Sequence, residues 1–184
     1  AAVAATDLDA AEEALELIIV EYEELPAVFD PLEAMKADAP LIHENLKDYD
    51  TTFQAIQNGN VCSQTTFVQG DIEKGFREAD VIVEETFTTQ MQHQCYIEPA
   101  GAIAQMDVSG KFTVWSSTQA VFIHQARIAE ALRIPMSKIR VIAPCVGGGF
   151  GGKIETHVQI ICVALAQRVN NRPVKIILSR EEEF

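Results

Sequence analysis

The chain has 184 residues, of which 48% are hydrophobic and 22% charged, and carries a formal net charge of −13. That balance supports a packed core and excludes a disordered chain. The scarcity of clustered Lys and Arg argues against nucleic acid as a partner, and no apolar run approaches the ~20 residues a membrane helix needs.

The opening residues AAVAA read as the last part of a strand. TDLDAAEEALELI then predicts a helix, capped by Thr6 or Asp7, with Leu8, Ala11, Leu15 and Ile18 at helical spacing. IIVEYEEL predicts a strand ending at Pro26. From Ala27 to about Asn60 the prolines Pro31 and Pro40 and the weak periodicity predict a long connection with one helical turn, and a domain boundary near residue 50. GDIEKGFREAD predicts a short helix, and DVIVEETFTT a strand, with Val81, Val83 and Glu85 alternating against Ile82, Glu84 and Thr86. GAIAQMDVSGKFTVWSST predicts a hairpin turning at Asp107 to Gly110. TQAVFIHQARIAEALRIP predicts a helix with Val121, Ile128 and Leu132 on one face and Pro135 beyond its end. KIRVIA predicts a buried strand, HVQIICVALAQRV an internal helix broken at Asn170 and Asn171, and VKIIL a last strand.

The four cysteines, Cys62, Cys95, Cys145 and Cys162, form no CxxC pair. Reduced thiols in a cytoplasmic protein are expected, and the spacing cannot ligate a [2Fe–2S] cluster. AAVAATDLDA lacks the basic start and apolar middle of a signal peptide. The first residue is not Met. Near the other end, Ser179 and Glu182 form a capping-box pattern with no helix length after it. The chain therefore reads as a piece of a longer polypeptide.

The densest signal is VIAPCVGGGFGGK, where Gly147, Gly148, Gly149, Gly151 and Gly152 surround Phe150. Placed between a predicted strand and a predicted helix, such a loop can converge backbone amides on an anion or oxo group. Two motifs nearly match. Gly147, Gly149 and Gly152 satisfy G-x-G-x-x-G, but the acidic residue expected about 20 positions on is missing, since Glu181 comes too late. Gly147, Gly152 and Lys153 fit a P-loop, but Ile154 stands where a Mg²⁺-binding hydroxyl belongs, which excludes a nucleotide triphosphatase. A tight turn with packing glycines accounts for two or three of the five.

These residues carry a resemblance. STQAVFIHQARIAEALRIPMSKIRVIAPCVGGGFGGK resembles, without a gap, the molybdenum-binding subunit of the xanthine oxidase family of molybdenum hydroxylases. NRPVKIILSREEEF is similar to that family's G-R-P-V-K segment and R-E-E turn, and the EELPAV region to the end of its α/β hammerhead domain. The resemblance implies an α+β fold with mixed sheets and packed helices. Residues 1–50 would be the C-terminal part of the hammerhead plus a connection, and 51–184 the N-terminal part of the molybdopterin-binding domain.

By the same resemblance, Gln119 is the glutamine whose amide bonds an oxo ligand of molybdenum, against the plain alternative of a helix-start side chain satisfying backbone. Gly148, Gly149, Phe150 and Gly151 belong to the loop whose amides approach the metal and pterin, with Phe150 excluding water. Glu98-Pro99 matches a signature near the site. Two departures stand out. Gln94 occupies a position where many members have His, leaving His93 one place earlier with a surface or hydrogen-bonded role. Ile154 separates Lys153 from Glu155, unlike purine-oxidising members and more like those acting on aromatic or heteroaromatic acids. Glu155 is thus a candidate to orient substrate or to cap the following helix.

The implied activity is oxidation of an aldehyde or (hetero)aromatic carbon with water as the oxygen source. The cofactor would be molybdenum-molybdopterin, either plain or as the cytosine dinucleotide. [2Fe–2S] clusters and FAD would lie on partner domains or subunits. The essential glutamate lies in a family motif absent from these residues, so none of them is assigned a catalytic or metal-ligating role. The 184 residues alone are expected to be inactive and to bind no cofactor. The remaining alternatives are a non-catalytic assembly domain and a Rossmann-like dinucleotide binder.

Overall fold

The computed structural model describes residues 1–49 and 58–184. The boundary expected near residue 50 lies outside the described residues. By compactness the chain forms two units, one of Ala1–Ile19 with Thr89–Phe184, the other of Val20–Thr88.

The larger unit holds helix α1 (Leu8–Glu16) and a four-stranded mixed sheet. Its strands are β1 (Gly101–Met106), β2 (Phe112–Ser116), β3 (Ile139–Ile142) and β4 (Val174–Ile177), in the order β3-β2-β1-β4. β1 runs antiparallel to β2 and β4, whereas β3 lies parallel to β2. The hairpin between β1 and β2 turns where the sequence predicts. Asp107 accepts from Ser109 N, Ser109 Oγ and Lys111 N, a side chain standing in for ladder bonds.

Helix α4 (Val121–Leu132) crosses from β2 to β3, which the parallel pairing requires. It ends where Arg133 turns left-handed at φ 54°, two residues before Pro135. Helix α5 (Val158–Ala166) returns the chain to β4. Alternate strand residues Ala102, Ala104, Phe112, Val114 and Val174 meet Ile128, Val158, Cys162, Val163 and Ala166 in one core. Both helices therefore cover one face of the sheet, the two-layer arrangement of an α+β unit. Helix α6 (Arg180–Glu183) is a single turn, and it closes the predicted capping box: Ser179 Oγ accepts from Glu182 N, and Glu182 from Ser179 N. The helix expected to be missing thus has its first turn.

The smaller unit contains helix α2 (Pro31–Ala34), capped by Asp30, a 3₁₀ turn at Leu46–Asp48, and helix α3 (Ile72–Glu78). Asn60 fastens its long connection, donating to Ala34 O and Pro40 O and accepting from Ile42 N.

Three expected strands do not form. Residues 1–5, 18–25 and 81–89 have extended sequence patterns but no ladder partner among the described residues. Ile19, Tyr22, Val81 and Phe87 each remain more than three-quarters exposed. Alternation predicts which face a strand would bury, but the strand exists only when another segment supplies hydrogen bonds.

Candidate functional site

The glycine run occupies the turn after β3, six positions before α5 begins at Val158, so it is not a helix N-terminus. Each of its five glycines has a reason inside the fold. A Cβ at Gly147 would stand 2.6 Å from Glu98 Cβ, and one at Gly152 2.7 Å from Tyr96 Cε1. A Cβ at Gly149 would stand 2.7 Å from Gln119 Cδ and closer still to Oε1. Gly148 and Gly151 have φ of 91° and 95°, where a side chain is strained. A density of glycine greater than a turn alone needs is thus explained by packing and backbone shape. A role in binding must rest on the amides that the turn leaves unused.

Several amides are already engaged. Gly147 N donates to Glu98 Oε2 (2.6 Å), Gly151 N to Gln119 Oε1 (3.0 Å), Lys153 N to the same oxygen (3.4 Å), and Gly152 N to Gly149 O (2.8 Å). Gly148 N, Gly149 N and Phe150 N have no partner among the described residues.

Gln119 follows β2 by three residues and lies directly on the loop. Its backbone N–H also donates to Lys153 O (3.1 Å). Because Oε1 takes two loop amides, its Nε2 is the end turned away from them. The side chain satisfies backbone as the plain reading requires, though the backbone of the loop and not of its own helix. Its donor end remains unspent. Phe150 is 76% exposed with φ 50°, its ring against Gly148.

Glu98 is the residue the sequence marked and did not explain. One oxygen, Oε2, accepts from Gly147 N, Ser117 Oγ (2.7 Å) and Lys153 Nζ (2.8 Å). Burial alone would push this carboxyl up, but the bonds from Lys153, Gly147 and Ser117 outweigh it and hold the group below its usual value. Lys153 stands out in the sequence only as a failed P-loop lysine. Its side chain is fully buried, bonded to Glu98 and Ser117, and sits 4.7 Å from the Tyr96 ring centroid.

The segment 96–100 is held from its other side. Arg180 donates to Tyr96 O and Ile97 O, and Glu183 accepts from Ala100 N. The Glu183 carboxylate beside the Tyr96 hydroxyl, together with burial, pushes that phenol up to about 12. Beneath the loop, buried His124 and Thr118 bond each other and the carbonyls of Ile154 and Lys153. Burial holds the His124 imidazole below its ordinary value. His93 is hydrogen-bonded, accepting from Cys95 N, with its ring against Phe184. Gln94 borders Gly152. Glu155 is exposed and does not cap α5, whose first turn has no side-chain cap bond.

The parallel sheet of a dinucleotide-binding domain is absent, since β2–β3 is the single parallel pair among the described residues and β3 lies at an edge. All four cysteines are free thiols. No helix is long and apolar enough to cross a membrane, and no cluster of metal-ligating side chains occurs among the described residues.

The family described as molybdopterin cofactor-binding domain matches residues 53–184. The chain is 36% identical to the nicotinate dehydrogenase large molybdopterin subunit of Eubacterium barkeri, over 99% of this chain and 40% of that protein. It is 33% identical to the carbon monoxide dehydrogenase large chain of Afipia carboxidovorans, over 99% of this chain and 23% of that protein. Among solved structures, the aldehyde oxidoreductase of Desulfovibrio gigas superposes with a TM-score of 0.80 at 29% identity, covering 94% of this chain and 18% of that one. Quinoline 2-oxidoreductase of Pseudomonas putida 86 gives 0.77 at 30% identity, covering 97% and 21%. The chain thus spans well under half the length of these relatives.

Proposed function

Since the chain belongs to the molybdopterin cofactor-binding domain family, among the molybdenum hydroxylase large subunits of the xanthine oxidase type, we propose that its glycine loop and Gln119 hold a molybdenum-pterin cofactor. One observation carries the reading: Gln119 spends its oxygen on the loop and keeps its Nε2 donor, while three amides of the same loop, Gly148 N, Gly149 N and Phe150 N, also have no partner among the described residues. A cluster of donors without acceptors fits oxo, pterin and phosphate oxygens. Gly148, Gly149, Phe150 and Gly151 form the cradle, and the exposed Phe150 ring would shield the group from water. When bound, the cofactor supplies two-electron oxidation of a carbon centre with oxygen taken from water. The residues of this chain bind and orient it.

The substrate class proposed is an aldehyde or an electron-poor heteroaromatic ring. The relatives named for nicotinate, quinoline and aldehydes support that range. Glu155, exposed and uncommitted to a helix cap, is the proposed substrate contact. The rest of the molybdenum subunit, an iron–sulfur partner and a flavin partner complete the enzyme, in the cytoplasm, with the pterin either plain or as the cytosine dinucleotide.

The test is the molybdenum and pterin content of the purified natural gene product, native and Gln119→Ala. Loss of one oxo-directed bond lowers retention about tenfold. A native protein with no pterin, or a fully loaded Gln119→Ala variant, would overturn the proposal.

A further inference from the structure

We infer that Glu98 and Lys153 are a positioning pair that fixes the glycine loop in its donor-presenting shape, an inference that rests on reading the loop as the cofactor cradle. Gly147 and Lys153 are the two ends of the loop, and Glu98 Oε2 bonds both, the first through its backbone N–H and the second through Nζ. Ser117 completes a triangle, donating to Glu98 and accepting from Lys153. The same strand end therefore anchors the pair at Ser117 and supplies Gln119 two residues later. Closure at both ends leaves the middle amides, Gly148 to Phe150, without a partner among the described residues, with Gly149 buried in the bend and Gly148 and Phe150 more open on either side of it.

The chemistry of the pair favours this role over simple stabilisation. The Lys153 side chain has no exposed surface while the Glu98 side chain is 37% exposed, and an ion pair buried at one end and screened at the other gains little over an apolar pair of similar volume. What an apolar pair lacks is direction. A carboxylate oxygen accepting three donors places Gly147 N and Lys153 within hydrogen-bond tolerance, and Gly147 has no Cβ because Glu98 Cβ is already there. The ring of Tyr96 under Lys153 Nζ, with Arg180 gripping the carbonyls of Tyr96 and Ile97, keeps the carboxylate from following the loop if the loop shifts. Neither residue touches the cofactor in this reading. Both act through the loop.

The experiment uses the natural gene product, stripped of cofactor and then loaded, with amide exchange of residues 147–153 and pterin content as separate readouts. In Glu98→Gln/Lys153→Met, removal of both charges together keeps the thermal midpoint near that of the native protein. Exchange at Gly151 and Lys153 nonetheless rises about tenfold in the stripped protein, and pterin retention falls by a similar factor. A merely structural pair predicts the opposite, with native exchange and native retention once the midpoint is restored, and that result overturns the inference. If the double variant does not fold, Lys153→Arg keeps the charge but changes the donor geometry. Faster loop exchange at an unchanged midpoint then supports the pair, and unchanged exchange refutes it. A native protein that takes up no pterin defeats the cradle reading instead, and the exchange data on stripped protein still decide whether the pair shapes the loop.

Discussion

Replacing Gly149 by alanine strikes the junction between loop and glutamine. The new Cβ would stand 2.7 Å from Gln119 Cδ and nearer to Oε1, so the carboxamide must swing away. The backbone itself tolerates the change, because Gly149 is not among the residues with positive φ. Swinging the amide forfeits the bonds from Gly151 N and Lys153 N. At about 0.5–1.5 kcal/mol each, these total about 1–3 kcal/mol. Restricting the unfolded chain returns about 0.4–1 kcal/mol. The net expectation is a loss between about 0 and about 2.6 kcal/mol, centred near ~1.3 kcal/mol, read as a lower urea midpoint at unchanged m, together with lost cofactor. Gly75→Ala is the control. Gly75 lies inside α3 with nothing within 4 Å of a new Cβ, and the exchange there is expected to stabilise by about 0.5–1 kcal/mol. If Gly149→Ala proves as harmless as Gly75→Ala, with full cofactor, Gln119 does not depend on the loop and the reasoning fails.

Three further outcomes are expected. Titration of phenol absorbance should show one of the three tyrosines, Tyr96, ionising near 12, and Glu183→Gln should bring it down. A phenol raised in this way contributes stability that is complete below its unfolded value near 10 and is lost as pH rises through about 12. On the acid side, Glu98 and Glu183 are held below their usual 4.5, so their contribution is present above that value and lost as pH falls through the lowered one. Glu98→Gln should flatten that acid limb in a stability–pH profile, and an unchanged slope would contradict the bonding described. Arg133→Gly, relieving the left-handed turn after α4, should raise stability by about 0.5–1 kcal/mol in the same urea assay.

What the sequence made legible was local. The Asp107 turn, the Ser179 capping box, and helices α4 and α5 follow from side chains acting within a few positions of themselves. The segments 18–25 and 81–89 carry the pattern of strands but find no ladder partner among the described residues, because a strand depends on a partner elsewhere and alternation says nothing about whether one is present. Gln119 and the loop were brought together by resemblance, and the described geometry does place them in contact. The reason for five glycines was not legible, since the crowding comes from Tyr96, Glu98 and Gln119, distant along the chain. Nor was the Glu98–Lys153 pair. A lysine closing a glycine run looks like a phosphate ligand until its carboxylate partner, 55 positions away, is seen beside it. Arg180 and Glu183, which fasten segment 96–100, were visible only as a charged terminal turn.

The most direct measurement is residue-resolved amide exchange at Gly148, Gly149 and Phe150 in the natural gene product with and without its molybdenum-pterin group. Strong protection of those three amides on loading, beyond any change at already bonded Gly147 and Gly152, is the predicted result. Equal exchange in the two states would mean that the loop faces something other than the cofactor.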